Sequence, residues 1–136
     1  MAVAFTLAYQ GDLRCMARHE PSGTTLITDA PLDNQGRGES FSPTDLVATG
    51  LGVCMFTIMG IVARRDGIAL AGASARVEKH MTSTPPRRIE RIVVRFTLPA
   101  TIPVGDRDKL ERAARTCPVA LSLHPDSVQD VAFTYG

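Results

Sequence analysis

The run Leu46–Ala63 carries no charged side chain, and few folds can accommodate it. A helix that is apolar all round is either a membrane span or a core helix covered from more than one side. The run reaches only the short end of spanning length. Gly50, Gly52, Gly60, Thr49 and Thr57 dilute its hydrophobicity, and no second segment resembles it. A buried core helix is therefore expected. Ser42-Pro43-Thr44-Asp45 opens it: Ser42 suits the N-cap, Pro43 the first helical position, and Asp45 puts negative charge in the first turn. Arg64 and Arg65 suit its C-terminal end, and Gly67 stops it.

Strand patterns flank this helix. Val3, Phe5, Leu7 and Tyr9 alternate with smaller residues, Leu13–His19 alternates again, and Thr24–Thr28 is β-branched. Turn signals at Gln10-Gly11-Asp12 and Glu20-Pro21-Ser22-Gly23 make these three an antiparallel meander. Asp29–Phe41 reads as a loop long enough to have a task such as covering a site. After the helix come a strand over Ala71–Met81, a loop over Thr82–Pro86, and a strand in which Ile92, Val94, Phe96 and Leu98 alternate with Arg91, Val93, Arg95 and Thr97. Asp106–Arg115 reads as a helix, with Asp108 and Arg112 spaced to pair. Pro118–Leu123 is a short helix and Val128–Tyr135 a last strand. This order implies one α+β domain over residues 1–136, an antiparallel or mixed sheet with helices on one face. One such layer covers only one face of the central helix. Its opposite face is apolar too, so a second copy packing helix against helix is expected, with Gly50 and Gly60 allowing close approach.

Composition narrows the function classes. A net charge of +1, few aromatics and no tryptophan supply neither the electrostatic footprint nor the stacking surface of a nucleic-acid binder, nor a reason to sit on an anionic membrane. The N-terminus has no basic segment followed by an apolar stretch, so no secretory signal is read. Three widely spaced cysteines do not make a secreted disulfide framework. The expected compartment is a reducing cytoplasm, where a disulfide is transient and catalytic. The three histidines are scattered and form no ligand pair with each other or with cysteine, which argues against zinc.

Chemistry falls to the thiols. Cys54 lies inside the uncharged run, on a helical stripe with Val47, Gly50, Thr57 and Ile61. A cysteine there can be simple packing, and apolar burial raises its pKa; a reactive thiolate would need a cation brought from outside the helix. Cys117, directly before Pro118, occupies an N-cap position where the helix dipole and free N–H groups favour the anion. From its position alone it is the better thiolate. Cys15, in an alternating strand beside Arg14, reads as structural.

Ser42-Pro43-Thr44-Asp45-Leu46-Val47-Ala48-Thr49-Gly50-Leu51-Gly52-Val53-Cys54, followed later by Cys117-Pro118-Val119, resembles the OsmC / organic hydroperoxide resistance superfamily. The resemblance covers most of the chain and implies an OsmC-like α+β two-layer sandwich in an intertwined homodimer, with long central helices at its heart. It implies a thiol-dependent hydroperoxide reductase acting in oxidative stress defence. Cys54 would be the peroxidatic thiol and Cys117 the resolving one, reset by a dithiol, in the family typically dihydrolipoamide or a lipoylated protein. No metal, flavin or haem is implied. In the family an Arg–Glu pair activates the buried cysteine. Here Thr44 stands at the glutamate position and Asp45 one residue on. The arginine has no clean match: Arg37 lies in the corresponding loop but out of register, and Arg14 and Arg18 come from the N-terminal strands. These departures leave a second reading open: a redox-inactive OsmC-like dimer that binds an apolar small molecule.

Overall fold

The structure, a computed structural model, describes residues 1–136. Its contacts divide the chain into two compact units, Met1–Leu46 and Val47–Gly136.

The first unit is the expected meander: β1 (Phe5–Gly11), β2 (Arg14–His19) and β3 (Thr25–Asp29), paired antiparallel in that order. The β1–β2 turn places both Asp12 and Leu13 at positive φ, 53° and 61°, the backbone twist that a tight hairpin needs. After β3 the chain makes one turn of 3-10 helix at Leu32–Asn34, and the loop beyond it is held down. Glu39 donates its N–H to Asp29 Oδ2 at 3.0 Å, and Asp29 is fully buried. Gly36 is packed so closely on Ala30 that a Cβ would fall 1.7 Å from the Ala30 carbonyl oxygen, so no other residue fits there.

Helix α1 (Pro43–Asp66) begins with a reciprocal cap. Asp45 donates its N–H to Ser42 Oγ at 3.1 Å, and Ser42 donates its N–H to Asp45 Oδ2 at 2.9 Å. Two of the donors that a helix start leaves unpaired are thereby satisfied.

The second unit holds most of α1 and a three-stranded mixed sheet: β4 (Ser74–Met81) antiparallel to β5 (Ile89–Leu98), and β5 parallel to β6 (Val128–Tyr135). The crossover from β5 to β6 carries α2 (Val104–Arg115) and α3 (Pro118–Ser122). Strand β4 starts later than its composition suggests, because Leu70–Ala73 closes a turn (Ala73 N–H to Leu70 O, 3.1 Å) with Gly72 at φ 93°. Ile92, Val94, Phe96 and Leu98 are all buried, as their alternation predicts. Phe96 meets Phe56 of α1 edge-on at 4.8 Å and stacks on Phe133 of β6 at 5.0 Å.

One close contact between α1 and this sheet falls at a glycine. At Gly52 an added Cβ would be 3.0 Å from Val77 Cγ2 of β4. The glycine leaves room for the Val77 side chain, and the same side of α1 turns Ala48, Leu51, Met55, Met59 and Ala63 into the core. Val47, Val53 and Ile61 are left exposed, and added Cβ atoms at Gly50 and Gly60 would meet nothing. By length and composition α1 could also cross a membrane, with a mean hydropathy of 2.2; in this unit its opposite face is the centre of the core. The far end of α1 is tied to α2 by Lys109 Nζ, which lies 2.9 Å from both Asp66 Oδ2 and Asp106 Oδ1.

Candidate functional site

Cys54 projects from α1 between the buried and exposed faces. It is half-buried and packs against the core cluster. This differs from the expectation of a fully buried thiol. Met55 and Leu51, not Cys54, are the residues of this stretch that α1 places fully in the core.

Cys117 is the deeply placed thiol, with no exposed surface. It is the N-cap of α3, with extended backbone (φ −66°, ψ 156°) and Pro118 following it. Its Sγ accepts the Ala120 N–H at 3.4 Å. Its own N–H donates to Ala114 O, at the end of α2, at 3.3 Å. The cap forms as the sequence predicts, but the consequence for acidity is reversed. Burial pushes the Cys117 thiol above its ordinary 9.0, the Ala120 amide pulls it down less strongly, and the neighbouring Cys54 side chain pushes it up again. Desolvation of the charged form outweighs one weak N–H···S contact.

Cys54 packs against the same buried cluster that contains Cys117, and its side chain is near enough to push the Cys117 thiol up. Two thiols far apart in the chain thus meet one core, one half-buried at its edge and the other sealed in it. None of the groups acting on Cys117 is a cation.

The raised Cys117 pKa fixes a sign for stability. A group whose folded pKa lies above its unfolded value adds stability that is complete below the unfolded pKa and is lost as pH rises through the folded one. The Cys117 contribution is therefore whole at pH 7 and drains away above about pH 9. Tyr135 acts in the same direction, held above its usual 10.0 first by burial and then by its hydrogen bond to Glu111. Urea midpoints from pH 7 to pH 10.5 should fall for the wild type. They should fall less steeply for Cys117→Ala, which keeps the tyrosine and loses the thiol.

The charged residues that the family resemblance brings to the site lie in the first 46 residues. Asp45 is the reciprocal cap of α1 described above. Arg14 pairs with Glu39 at 3.0 Å. The Arg18 guanidinium lies over Gly23, where an added Cβ would be 3.3 Å from its Nη2. Arg37 is exposed on the loop between Gly36 and Gly38. Cys15 sits in β2, opposite Tyr9 and Thr28.

The model of the OsmC-like protein family matches residues 36–130, which takes in α1, both thiols and most of the second sheet. The chain belongs to the OsmC-like family. A solved structure from Psychrobacter arcticus, a candidate osmotic stress induced and detoxification response protein, is 46% identical, with a TM-score of 0.90 over 96% of this chain and 94% of that one. An organic hydroperoxide resistance protein OsmC from Legionella pneumophila shares the OsmC-like fold at 16% identity, with a TM-score of 0.77 over 98% and 97% of the two chains. An OsmC-like protein from Mycoplasma pneumoniae does so at 14%, with a TM-score of 0.81 over 99% and 97%. No curated protein matches the chain.

Sequence reasoning passed over one residue of this OsmC-like site. Gln129 pairs in register with the buried Ile92, so it heads the inward series Gln129, Val131, Phe133, Tyr135. Its Nε2 donates to Ala120 O at 2.9 Å. A lone amide at the head of an apolar alternation was the available signal.

Proposed function

We propose that this protein is a thiol-dependent hydroperoxide reductase that works through the Cys54/Cys117 pair. The observation that supports the reading most is the pairing of a half-exposed thiol with a sealed one inside a single core. In this mechanism the Cys54 thiolate attacks the distal oxygen of a hydroperoxide. The O–O bond breaks, the alkoxide leaves as the alcohol after taking a proton, and Cys54 becomes a sulfenic acid. The Cys117 sulfur then attacks the Cys54 sulfur and expels the hydroxyl as water, leaving a disulfide. An external dithiol of the lipoyl type resets the pair by two exchange steps and is itself oxidised. Of the three candidate arginines, Arg14 is engaged by Glu39 and Arg18 lies against Gly23. Following the family resemblance, Arg37 with Asp45 is our assignment for the charged pair that activates Cys54.

The working form is a cytoplasmic homodimer. Two apolar surfaces support this: the Val47, Val53 and Ile61 side of α1, and the Phe5, Leu7 and Tyr9 residues of β1, each of the latter more than half exposed. Apolar surroundings favour organic hydroperoxides over hydrogen peroxide.

The test is direct. One equivalent of cumene hydroperoxide should remove two hydrogens from the protein's mass and join the Cys54 and Cys117 peptides. If both thiols remain free after treatment, the reductase reading is wrong.

A further inference from the structure

Helix α3 is only five residues long, far below the length at which a helix holds itself together. The sulfur of Cys117 nevertheless depends on it, through the Ala120 N–H. Within α3 the bonds are few: Leu121 N–H to Cys117 O at 3.1 Å, Leu123 N–H to Val119 O at 3.1 Å, and Ser122 Oγ to Pro118 O at 2.7 Å. The Ala120 carbonyl belongs to the last turn, whose acceptors have no partner inside a helix. Gln129 Nε2 fills that role at 2.9 Å. Gln129 is itself fixed by the parallel ladder of β6 on β5. One residue is thus gripped on both sides: the Ala120 N–H touches the Cys117 sulfur and the Ala120 C=O is held from the sheet by Gln129.

We propose that Gln129 is a positioning residue for Cys117, setting the placement of α3 and with it that of the sulfur that would close on Cys54. The inference rests on the redox reading of the pair. Losing the amide frees the Ala120 peptide, lets α3 drift, and slows closure of the disulfide relative to the first modification of a thiol. A residue that merely fills space would not alter that ratio in a pH-dependent way.

The experiment follows thiol loss and disulfide closure by quenched mass spectrometry with peptide mapping. It uses wild type, Gln129→Leu and Gln129→Glu, each treated with cumene hydroperoxide and separately with diamide. Diamide takes up the two electrons and two protons of a thiol pair as it becomes the hydrazine, so it closes any pair within reach without peroxide chemistry. Gln129→Leu should lower the ratio of closure to first modification by about fivefold, the equivalent of one net hydrogen bond. Gln129→Glu should approach wild type as pH falls below the ordinary glutamate value of about 4.3, where the introduced carboxyl is protonated and donates. It should fall below wild type as that carboxyl ionises and turns an acceptor toward the Ala120 carbonyl. Wild-type ratios in Gln129→Leu, or a Gln129→Glu ratio that tracks wild type at every pH, overturn the proposal. If Gln129→Leu fails to fold, the Gln129→Glu profile decides alone. Closure of the wild type by diamide but not by peroxide removes the reductase reading and leaves the Gln129 inference standing on the diamide ratios. Closure by neither removes both.

Discussion

Replacing Cys54 with serine should cut hydroperoxide turnover by roughly 10³-fold or more, the scale on which removing a nucleophile acts. The substitution is nearly isosteric, and its site is half-buried at the edge of the core, so the fold should tolerate it. Cys117→Ser should behave differently. It retains an N-cap oxygen for the Ala120 N–H and leaves Cys54 free to react once. A sulfenic acid on Cys54, trapped by dimedone, should then accumulate in place of the disulfide. Turnover of cumene hydroperoxide with dihydrolipoamide, followed for both variants, separates the roles. If Cys54→Ser retains wild-type turnover while Cys117→Ser loses it, attack belongs to Cys117 and the assignment is reversed.

Phe96→Ala should be the most damaging single change to the fold, costing about 4 kcal/mol in urea unfolding. Phe96 is 1% exposed and stands where three elements meet: α1 through Phe56, β6 through Phe133, and its own strand β5. Truncation would lose the transfer energy of the ring, leave a cavity, and forfeit two aromatic contacts that add to simple burial. Because β5 is the central strand of its sheet, neighbouring elements have little freedom to collapse inward. A measured loss below about 1 kcal/mol would mean that the core closes over the gap.

Much of this architecture was legible in the residues, and the parts that were not share a cause. Strand β5 could be read from Ile92, Val94, Phe96 and Leu98 because period-2 burial is a local property. The cap of α1 could be read from Ser42 and Asp45 because both partners lie within one turn. That β6 runs parallel to β5 could not be read, since alternation records which face is buried and not which way a neighbour runs. The depths of the two thiols were misjudged for a related reason. In a helix as uniformly apolar as Leu46–Ala63, sequence does not reveal the rotational phase. That phase follows from long-range packing on the sheet, of which the seat of Gly52 against Val77 is one part. For Cys117 the local signal, an N-cap before proline, was right about geometry. It was silent about burial, which decides the acidity.

The parallel return of β6 has a consequence for how the two oxidation states would differ mechanically. The crossover that carries α2, α3 and Cys117 is anchored to the sheet at both ends, by β5 and by β6. A bond from Cys54 to Cys117 would add a third anchor and close a loop of about 60 residues containing β4, β5 and α2. On the chain-entropy account such a loop removes roughly 4 kcal/mol of freedom from the unfolded chain. Each catalytic cycle would then alternate between a looser, reduced molecule and a cross-linked one that resists unfolding, so the protein would be at its toughest while waiting for its reductant.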